Sequence, residues 1–571
     1  VRVIPDVAAI DKEFDYLVPP SWRADGRADR LKVGTMVRLR LHGRRVGGWV
    51  TAVDVDPPPG VELVELAKLS GEGPPPEIID LAGWAAWRWA GRRVSFLRAA
   101  SPPRMVAGVP ERAERSSAPA GPADVFDDAF RLGVAVVRQP PSHDPLPVVM
   151  AGCRLGDTLV VTPDHGSARH LAIALRRAGV AVALAPDDWA LAASGATVVG
   201  TRSAVWMPMP ELAAVVVVDE HDEALQEERT PTWHAREVAL ERARRRGVPA
   251  VLVSPVPSLE ALRAGRLLRP NRTMEREGWP RVDVLDRRRD DPVRGGLFAE
   301  GLVERIRGGA RVVCVLNRKG RSRLLACGTC GELVTSEDGA TPMVQVDTGL
   351  TTPDGSESRP AVCASCGATN LRNLRAGVGR AREELAALLG EEVDEVTSDR
   401  ADEPSTRVVI GTEAVLHRVD EAEVAVLLDF DQELLAARQR ASEQAMVLAA
   451  RAARLVGPRG GGGRLVVQTR LPEHDVVRAL VTADPSIVAV AERDRRQERG
   501  WPPYGAQCLL AGDGAEPFVA SLGRPEGVDI LGPRDGRWLL RAGTHEPLLD
   551  VLAATPRPPT RVRVEVDPPR V

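Results

Sequence analysis

Lysine is nearly absent. Lys12, Lys32, Lys68 and Lys319 are the only four in 571 residues, and the excess of Ala, Gly, Pro and Arg that accompanies this fits a GC-rich genome. The consequence is chemical: between Lys68 and Lys319 no ammonium is available to hold a phosphate. Long apolar runs are missing too. None reaches the roughly 18 residues that span a bilayer, and residues 1–20 lack the order of regions of a signal peptide, so a cytoplasmic protein without membrane contact is expected. No sign of charge dominates, with 76 Lys plus Arg against 79 Asp plus Glu. Near-balance neither demands nor excludes nucleic acid, because recognition depends on a local patch. Cysteines number seven, two CxxC pairs and three isolated thiols, which suits metal binding in a reducing compartment better than a disulfide framework.

What is present is ordinary soluble protein, 44% hydrophobic and 27% charged, long enough for three or four domains. Residues 1–65 alternate in short strand candidates (VRVIPDV, FDYLVP, GTMVRLRL, GGWVTAVDV), the pattern of a small β-rich module. IIDLAGWAAWRWA (78–90) is apolar at helical spacing, so Trp84, Trp87 and Trp89 are expected to pack. A Pro- and Ser-rich stretch at 101–123 reads as linker. From about 125, buried strands alternate with crossovers (DTLVVTP, AVALAP, ATVVGT, AVVVVDE, PAVLVSP), which is the grammar of a parallel sheet. A second such series begins near 298, is interrupted at 324–373 by cysteines and turn residues, and resumes through 474; a small α+β unit follows.

Cys327-Gly-Thr-Cys330 and Cys363-Ala-Ser-Cys366, each followed by Gly, form two knuckles whose four thiolates can enclose one zinc ion tetrahedrally. The site is expected to be closed and structural. Asp219 and Glu220, at the end of the strand VVVV, suit magnesium coordination and water activation in nucleotide hydrolysis, or else are a solvated acidic strand end. Hydrolysis also needs a phosphate loop, and between 115 and 165 there is neither GxxxxGK[ST] nor any lysine. Arginine is a poor substitute, because its planar fork does not reproduce a small rotating ammonium.

Two basic surfaces are candidates for DNA phosphates. Residues 305–323 carry seven basic and no acidic side chains, among them Arg318, Lys319 and Arg321 in NRKGRSR directly after a buried strand. Residues 1–50 carry ten basic against six acidic, and there Phe14, Tyr16, Arg38, Arg40, Arg44 and Arg45 form the second candidate. The FDY rings read as core unless one is exposed.

The order of these motifs resembles the bacterial PriA replication-restart helicase family over nearly the whole length. FDYLVP (14–19) with KVGTMVRLRLHGRRVGGWV (32–50), GTRSAVWMP (200–208), VVVVDEHDE (215–223), SPVPSLEAL (254–262), NRKG (317–320), IGTEAVLHRVD (410–420), RASEQA (440–445), VVQTRLPEHDVVRAL (466–480) and RRQERGWPPYG (495–505) carry the likeness. The resemblance implies a multidomain α/β protein: an N-terminal 3′-end DNA-binding domain and connecting helix (1–97), a linker (98–124), two RecA-like helicase lobes (125–297 and 298–474) with a zinc-binding insertion (324–373), and a small α+β C-terminal domain (475–571). Forked or single-stranded DNA, single-strand DNA-binding protein and helicase-loading primosome proteins are the implied partners of a monomer.

Departures from the family concentrate where nucleotide chemistry would occur. The TGSGKT loop is missing from 125–155, and RAARLVGPRG (451–460) stands where the family carries its second-lobe arginine segment, with Arg454 or Arg459 as imperfect matches. The insertion resembles only the outer of the family's two zinc sites, and a winged-helix module has little room. The expected protein is therefore a fork-binding restart factor in which ATP and Mg²⁺ have lost their cradle and Asp219 and Glu220 are vestigial. A weak ATP-dependent 3′–5′ helicase with an unconventional nucleotide site and a non-enzymatic protein-interaction scaffold are the alternatives.

Overall fold

The computed structural model describes residues 1–57, 60, 62–112, 126–290, 297–317, 325–339, 341–346, 349–352, 355–373, 378–397 and 403–570. The N-terminal strands β1 (Arg2–Pro5), β2 (Phe14–Asp15), β3 (Met36–Leu41), β4 (Arg44–Ala52) and β5 (Lys68–Gly71) form an antiparallel sheet in the order β2-β1-β4-β3-β5. Strand β3 shows why: Val37 and Leu39 turn into the core while Arg38 and Arg40 face water, the two-residue period of a half-buried strand. His42 and Gly43, both at positive φ, make the two-residue turn into β4. Helices Pro76–Arg88 and Arg93–Ala100 then pack Trp89, Phe96 and Leu97 against the first lobe, so the expected linker begins after Ala100 and not at 98.

The first lobe holds β6 (Val134–Arg138), β7 (Asp157–Val161), β8 (Val182–Leu184), β9 (Thr197–Gly200), β10 (Leu212–Val218), β11 (Ala250–Ser254) and β12 (Arg266–Leu268). They pair in parallel as β12-β6-β11-β10-β7-β9-β8. Helices on both faces bury the central strands completely, which is why Val215–Val218 read as an unbroken apolar run. Each of those valines contributes about 1.5–3 kcal/mol of burial, and a charge at Val216 would break the layer.

The second lobe contains β13 (Arg281–Asp286) and β14 (Val312–Val315); the cysteine insertion follows with β15 (Leu325–Cys327), β16 (Val344–Val346), β17 (Gly349–Thr351), β18 (Ser358–Arg359) and β19 (Leu371–Asn373). The lobe resumes with β20 (Val393–Val396), β21 (Val408–Gly411), β22 (Val424–Leu427) and β23 (Arg464–Thr469), giving a parallel sheet in the order β13-β23-β22-β14-β21-β20. Two domain edges therefore differ from expectation. Strand β13 is paired with β23, so the second lobe begins by Arg281 and not at 298. Helices Asp475–Thr482 and Ser486–Arg499 share the second lobe's core through Val476, Leu480 and Val488, so the C-terminal unit begins near Ala506 and not at 475. That unit is a four-stranded antiparallel sheet, β25 (Val528–Arg534)-β26 (Arg537–Ala542)-β24 (Ala506–Ala511)-β27 (Arg563–Val566), backed by helices Ala515–Leu522 and His545–Ala554.

Candidate nucleic-acid interface and interlobe cleft

In an open parallel sheet, phosphates are held where loops leave the carboxyl ends of strands and meet helix N-termini. The corresponding loop here, Gln139 to Pro145, joins β6 to helix Leu146–Leu155. Pro140, Pro141, Pro145 and Pro147 supply no N–H. The Gln139 amide donates to the Ser254 carbonyl and the His143 amide to that of Pro140. The Leu146 amide, at the helix start, donates to the Asp144 carboxylate at 2.9 Å. An acidic side chain of the chain itself thus caps the helix end where a phosphate would sit.

Asp219 ends β10 in the left-handed backbone region, at φ 49°, a conformation Asp tolerates better than most residues. Its carboxylate is clasped by Arg454 of the second lobe, whose two terminal nitrogens donate to Oδ2 and Oδ1 at 2.8 and 2.7 Å, while Nε donates to the Pro141 carbonyl at 3.1 Å. One guanidinium therefore ties the acidic strand end to the altered loop. Burial pushes the Asp219 carboxyl up, but Arg454 overrides it and holds the group below the usual carboxylate range. Arg451, one helical turn earlier, donates to Asp222 at 2.7 Å and also pairs with Glu413. Helix Ala441–Val456 makes this possible, since residues three apart share a face. RAARLVGPRG therefore does deliver an arginine to the first lobe, through one of its two imperfect matches to the family's segment. Arg454 reaches the site and Arg459 lies beyond the helix end.

Glu220 is fully buried. Arg236 donates to its Oε2 at 2.9 Å, the Ser258 amide to Oε1 at 2.8 Å, and the Ser258 hydroxyl to Oε2 at 2.8 Å. A carboxylate so occupied is held by charge-assisted bonds and would have to leave them to take a proton from water. Further pairs cross between the lobes: Arg440 with Glu260, Arg496 with Glu260 at 3.7 Å, and Gln444 with Glu223. Arg440 is the main influence opposing burial at Glu260, whose carboxyl lies far below its ordinary value. The cleft these groups line, about 1550 Å³, includes Asp164, His221, Asp222, Glu413, Arg440 and Arg451.

The four knuckle cysteines converge. Cys327 and Cys366 Sγ are 3.5 Å apart, Cys330 and Cys363 Sγ 3.6 Å, and all four lie within 4.8 Å of one another. These separations exceed a disulfide bond and match the edge of a tetrahedral thiolate site, about 3.8 Å for metal–sulfur bonds near 2.3 Å. The residues fit one metal ion. By contrast, Cys153 and Cys314 are buried singly, and burial pushes their thiols up to about 11 and about 12. The insertion docks on the second lobe through Arg470, which donates to the Gly331 carbonyl at 3.0 Å, and through Ala326 and Leu333 packed on Leu435.

On the N-terminal sheet, Arg38, Arg40, Arg44 and Arg45 are exposed, and Arg40 and Arg45 are cross-strand partners. Lys68, which sequence reasoning passed over, is the register partner of Arg38 on β5 and is also exposed. Arg38, Arg40, Arg45 and Lys68 therefore share one face across three strands, and none is in an ion pair among the described residues. Arg44 pairs with Leu41, on the opposite face at the hairpin tip. Tyr16 is a correction: at 5% exposure, with its hydroxyl donating to the Arg40 carbonyl at 3.3 Å, its ring belongs to the core and has no face for a base. Phe14 is half-buried, with the Lys12 ammonium 5.8 Å from its ring centre. Arg318, Lys319 and Arg321 lie outside the described residues.

An exposed cationic sheet joined to two RecA-like lobes and a four-thiolate insertion defines a helicase-like DNA-binding protein. Residues 2–102 match the family model described as 3′DNA-binding domain (3′BD). Over 93% of its length the chain is 29% identical to the probable replication restart protein PriA of Mycobacterium leprae, 90% of which is covered, and equally so to that of Mycobacterium tuberculosis strain H37Rv. It is 26% identical to the Bacillus subtilis replication restart protein PriA over 54% of this chain and 42% of that protein. Over nearly its whole length the chain is thus similar to PriA replication restart proteins.

Proposed function

We propose that this protein recognises branched or stalled replication forks and assembles primosome components on them without helicase turnover. The observation that supports this most is Arg454: it pairs with Asp219 and bonds the Pro141 carbonyl, so the magnesium-type carboxylate is neutralised by the chain itself beside a proline-rich loop that has no lysine. DNA is held by shape and phosphate contact at Arg38, Arg40, Arg45 and Lys68, with Phe14 and Arg44 contributing contact or charge beside them and with Arg318, Lys319 and Arg321 as a second basic segment. Single-strand DNA-binding protein and helicase-loading proteins are the proposed partners of a cytoplasmic, nucleoid-associated monomer. The metal is zinc, one ion on Cys327, Cys330, Cys363 and Cys366. When bound it supplies cross-linking of the insertion and no reaction chemistry. Metal analysis of the purified chain and of a Cys363→Ser variant tests that assignment.

Nucleotide titration with and without forked DNA tests the central reading. ATP affinity better than about 1 mM, roughly 4 kcal/mol, would overturn it. A weak helicase is the second reading, favoured by the retained Asp219, Glu220 and Arg454. It requires DNA-stimulated ATP hydrolysis above that of Glu220→Gln.

A further inference from the structure

Most arginines in the cleft have a carboxylate. Three at the junction between the lobes do not. Helix Arg272–Glu277 of the connecting segment packs against the turn Arg459–Gly461, which follows the helix carrying Arg454. Strand β13 begins beside that turn, its Arg281 amide donating to the Gly463 carbonyl at 3.2 Å. Arg276, Arg281 and Arg459 are thereby gathered, and among the described residues none of the three is in an ion pair. Burial, together with the positive charges of Arg276 and Arg281, draws the Arg459 guanidinium below its ordinary value. Its Nε is buried and has no acceptor. Of the two acids on the same helix, Glu275 is committed to Arg138 at 2.7 Å and Glu277 is in no ion pair among the described residues, while Asp283 lies toward Arg464 and Arg305.

Converging like charges with an unmet donor destabilise the free protein and are relieved by an anion that presents several oxygens. Guanidinium forks suit phosphate, and the adjoining Gly460 to Gly462 stretch has little side-chain bulk to obstruct a backbone approach. The site lies next to the altered loop, since Gly278, at the end of the same helix, packs on Pro140 and accepts from Ser142 at 2.9 Å.

We infer that Arg276, Arg281 and Arg459 form a phosphate-binding site at the lobe junction, separate from the N-terminal sheet and from Asp219. The phosphates come from a nucleic-acid strand led past the lobes or from a free polyphosphate. The full-length zinc-loaded protein and its Arg276→Gln/Arg281→Gln/Arg459→Gln variant are compared in two assays: salt-dependent binding of a single-stranded oligonucleotide, and thermal unfolding with inorganic pyrophosphate. The site predicts that the variant loses about 2 from the slope of log affinity against log salt, three phosphates at about 0.7 each, or loses a pyrophosphate-induced rise in Tm that the parent shows. A change in the slope alone identifies nucleic acid as the source, and a change in the Tm response alone identifies free polyphosphate. If parent and variant agree in both assays, the inference is wrong. Arg276→Gln alone, at an exposed position, keeps the test available should the triple variant fold poorly, with a slope change of about 0.7 expected. An N-terminal Arg38→Gln/Arg40→Gln variant, measured alongside, shows whether fork binding itself survives, so failure of this site is distinguishable from failure of the DNA-binding reading.

Discussion

Arginine is treated in opposite ways in the interlobe cleft and on the N-terminal sheet. Arg236, Arg440, Arg451 and Arg454 each find a carboxylate of the same chain. Arg38, Arg40 and Arg45 face solvent across β3 and β4 with none among the described residues. Near-neutral overall composition conceals this division. A cleft whose charges are already matched gains little from an anionic ligand, because binding must first break internal pairs. The N-terminal face loses only counterions when it meets phosphate. The same residue is thus structural in one place and receptive in the other, and the difference lies in what the fold brings opposite it.

The largest effect expected from breaking the matched side is at Glu220 and Arg236, whose side chains are 0% and 5% exposed. Glu220→Ala leaves a buried guanidinium uncompensated and should cost about 3–5 kcal/mol in denaturant unfolding of the lobes. Glu220→Gln, which keeps the side-chain volume and one of the two acceptor oxygens, should cost less. On the receptive side, replacing Arg38, Arg40, Arg45 and Lys68 together with Gln should leave unfolding almost unchanged while lowering the salt slope of single-strand binding by about 3, four contacts at about 0.7 each. Unchanged DNA affinity at all salt concentrations would remove the comparison's second half.

How much of this was legible beforehand follows from the range of each interaction. The cysteine quartet is read from two short spacings, and the buried parallel strands from runs such as Val215–Val218, because those signals are local. Strand β13 was missed as part of the second lobe because RVDVLD is a half-exposed edge strand, paired with residues nearly two hundred positions later. Lys68 joins the basic face only through a register with Arg38, thirty positions earlier in the chain. Tyr16 follows β2 with its ring packed among Val3, Trp22 and Leu39, as the reading of the FDY rings as core expects. The clasp of Arg454 on Asp219 spans 235 positions and depends on how two sheets face each other, which no periodicity encodes.

A smaller effect separates the second lobe's carboxylates from the cleft by pH. Asp429, after β22, is pushed up to about 7 by burial and by the charge of Asp431. With its folded pKa raised above the unfolded value near 3.9, it contributes stability that is complete below about pH 4 and lost as pH rises through about 7. Asp219 has the opposite sign: its lowered carboxyl contributes above the unfolded value and is lost as pH falls through the folded one. Asp429→Asn should therefore flatten the decline of Tm between pH 4 and 7, and Asp219→Asn should change only the acid limb below about pH 4. A decline that persists in Asp429→Asn would assign it to another group.

The least expected effect is also the sharpest test of the latch. Asp219 is 9% exposed, but the Arg454 side chain is 47% exposed at the mouth of the cleft, so removing it admits water to the carboxylate it covered. Arg454→Ala should accordingly cost about 1 kcal/mol or less, in the range of partly solvated pairs, and should be additive with Arg451→Ala only if the two guanidinium groups do not share Asp219's field. A loss approaching that of Glu220→Ala would mean that the two lobes hold Arg454 in a dry interface. The cleft would then be a permanent core contact. A small loss accompanied by new nucleotide affinity would instead mean that Arg454 had been excluding a ligand, and that the matched side of the molecule is only conditionally matched.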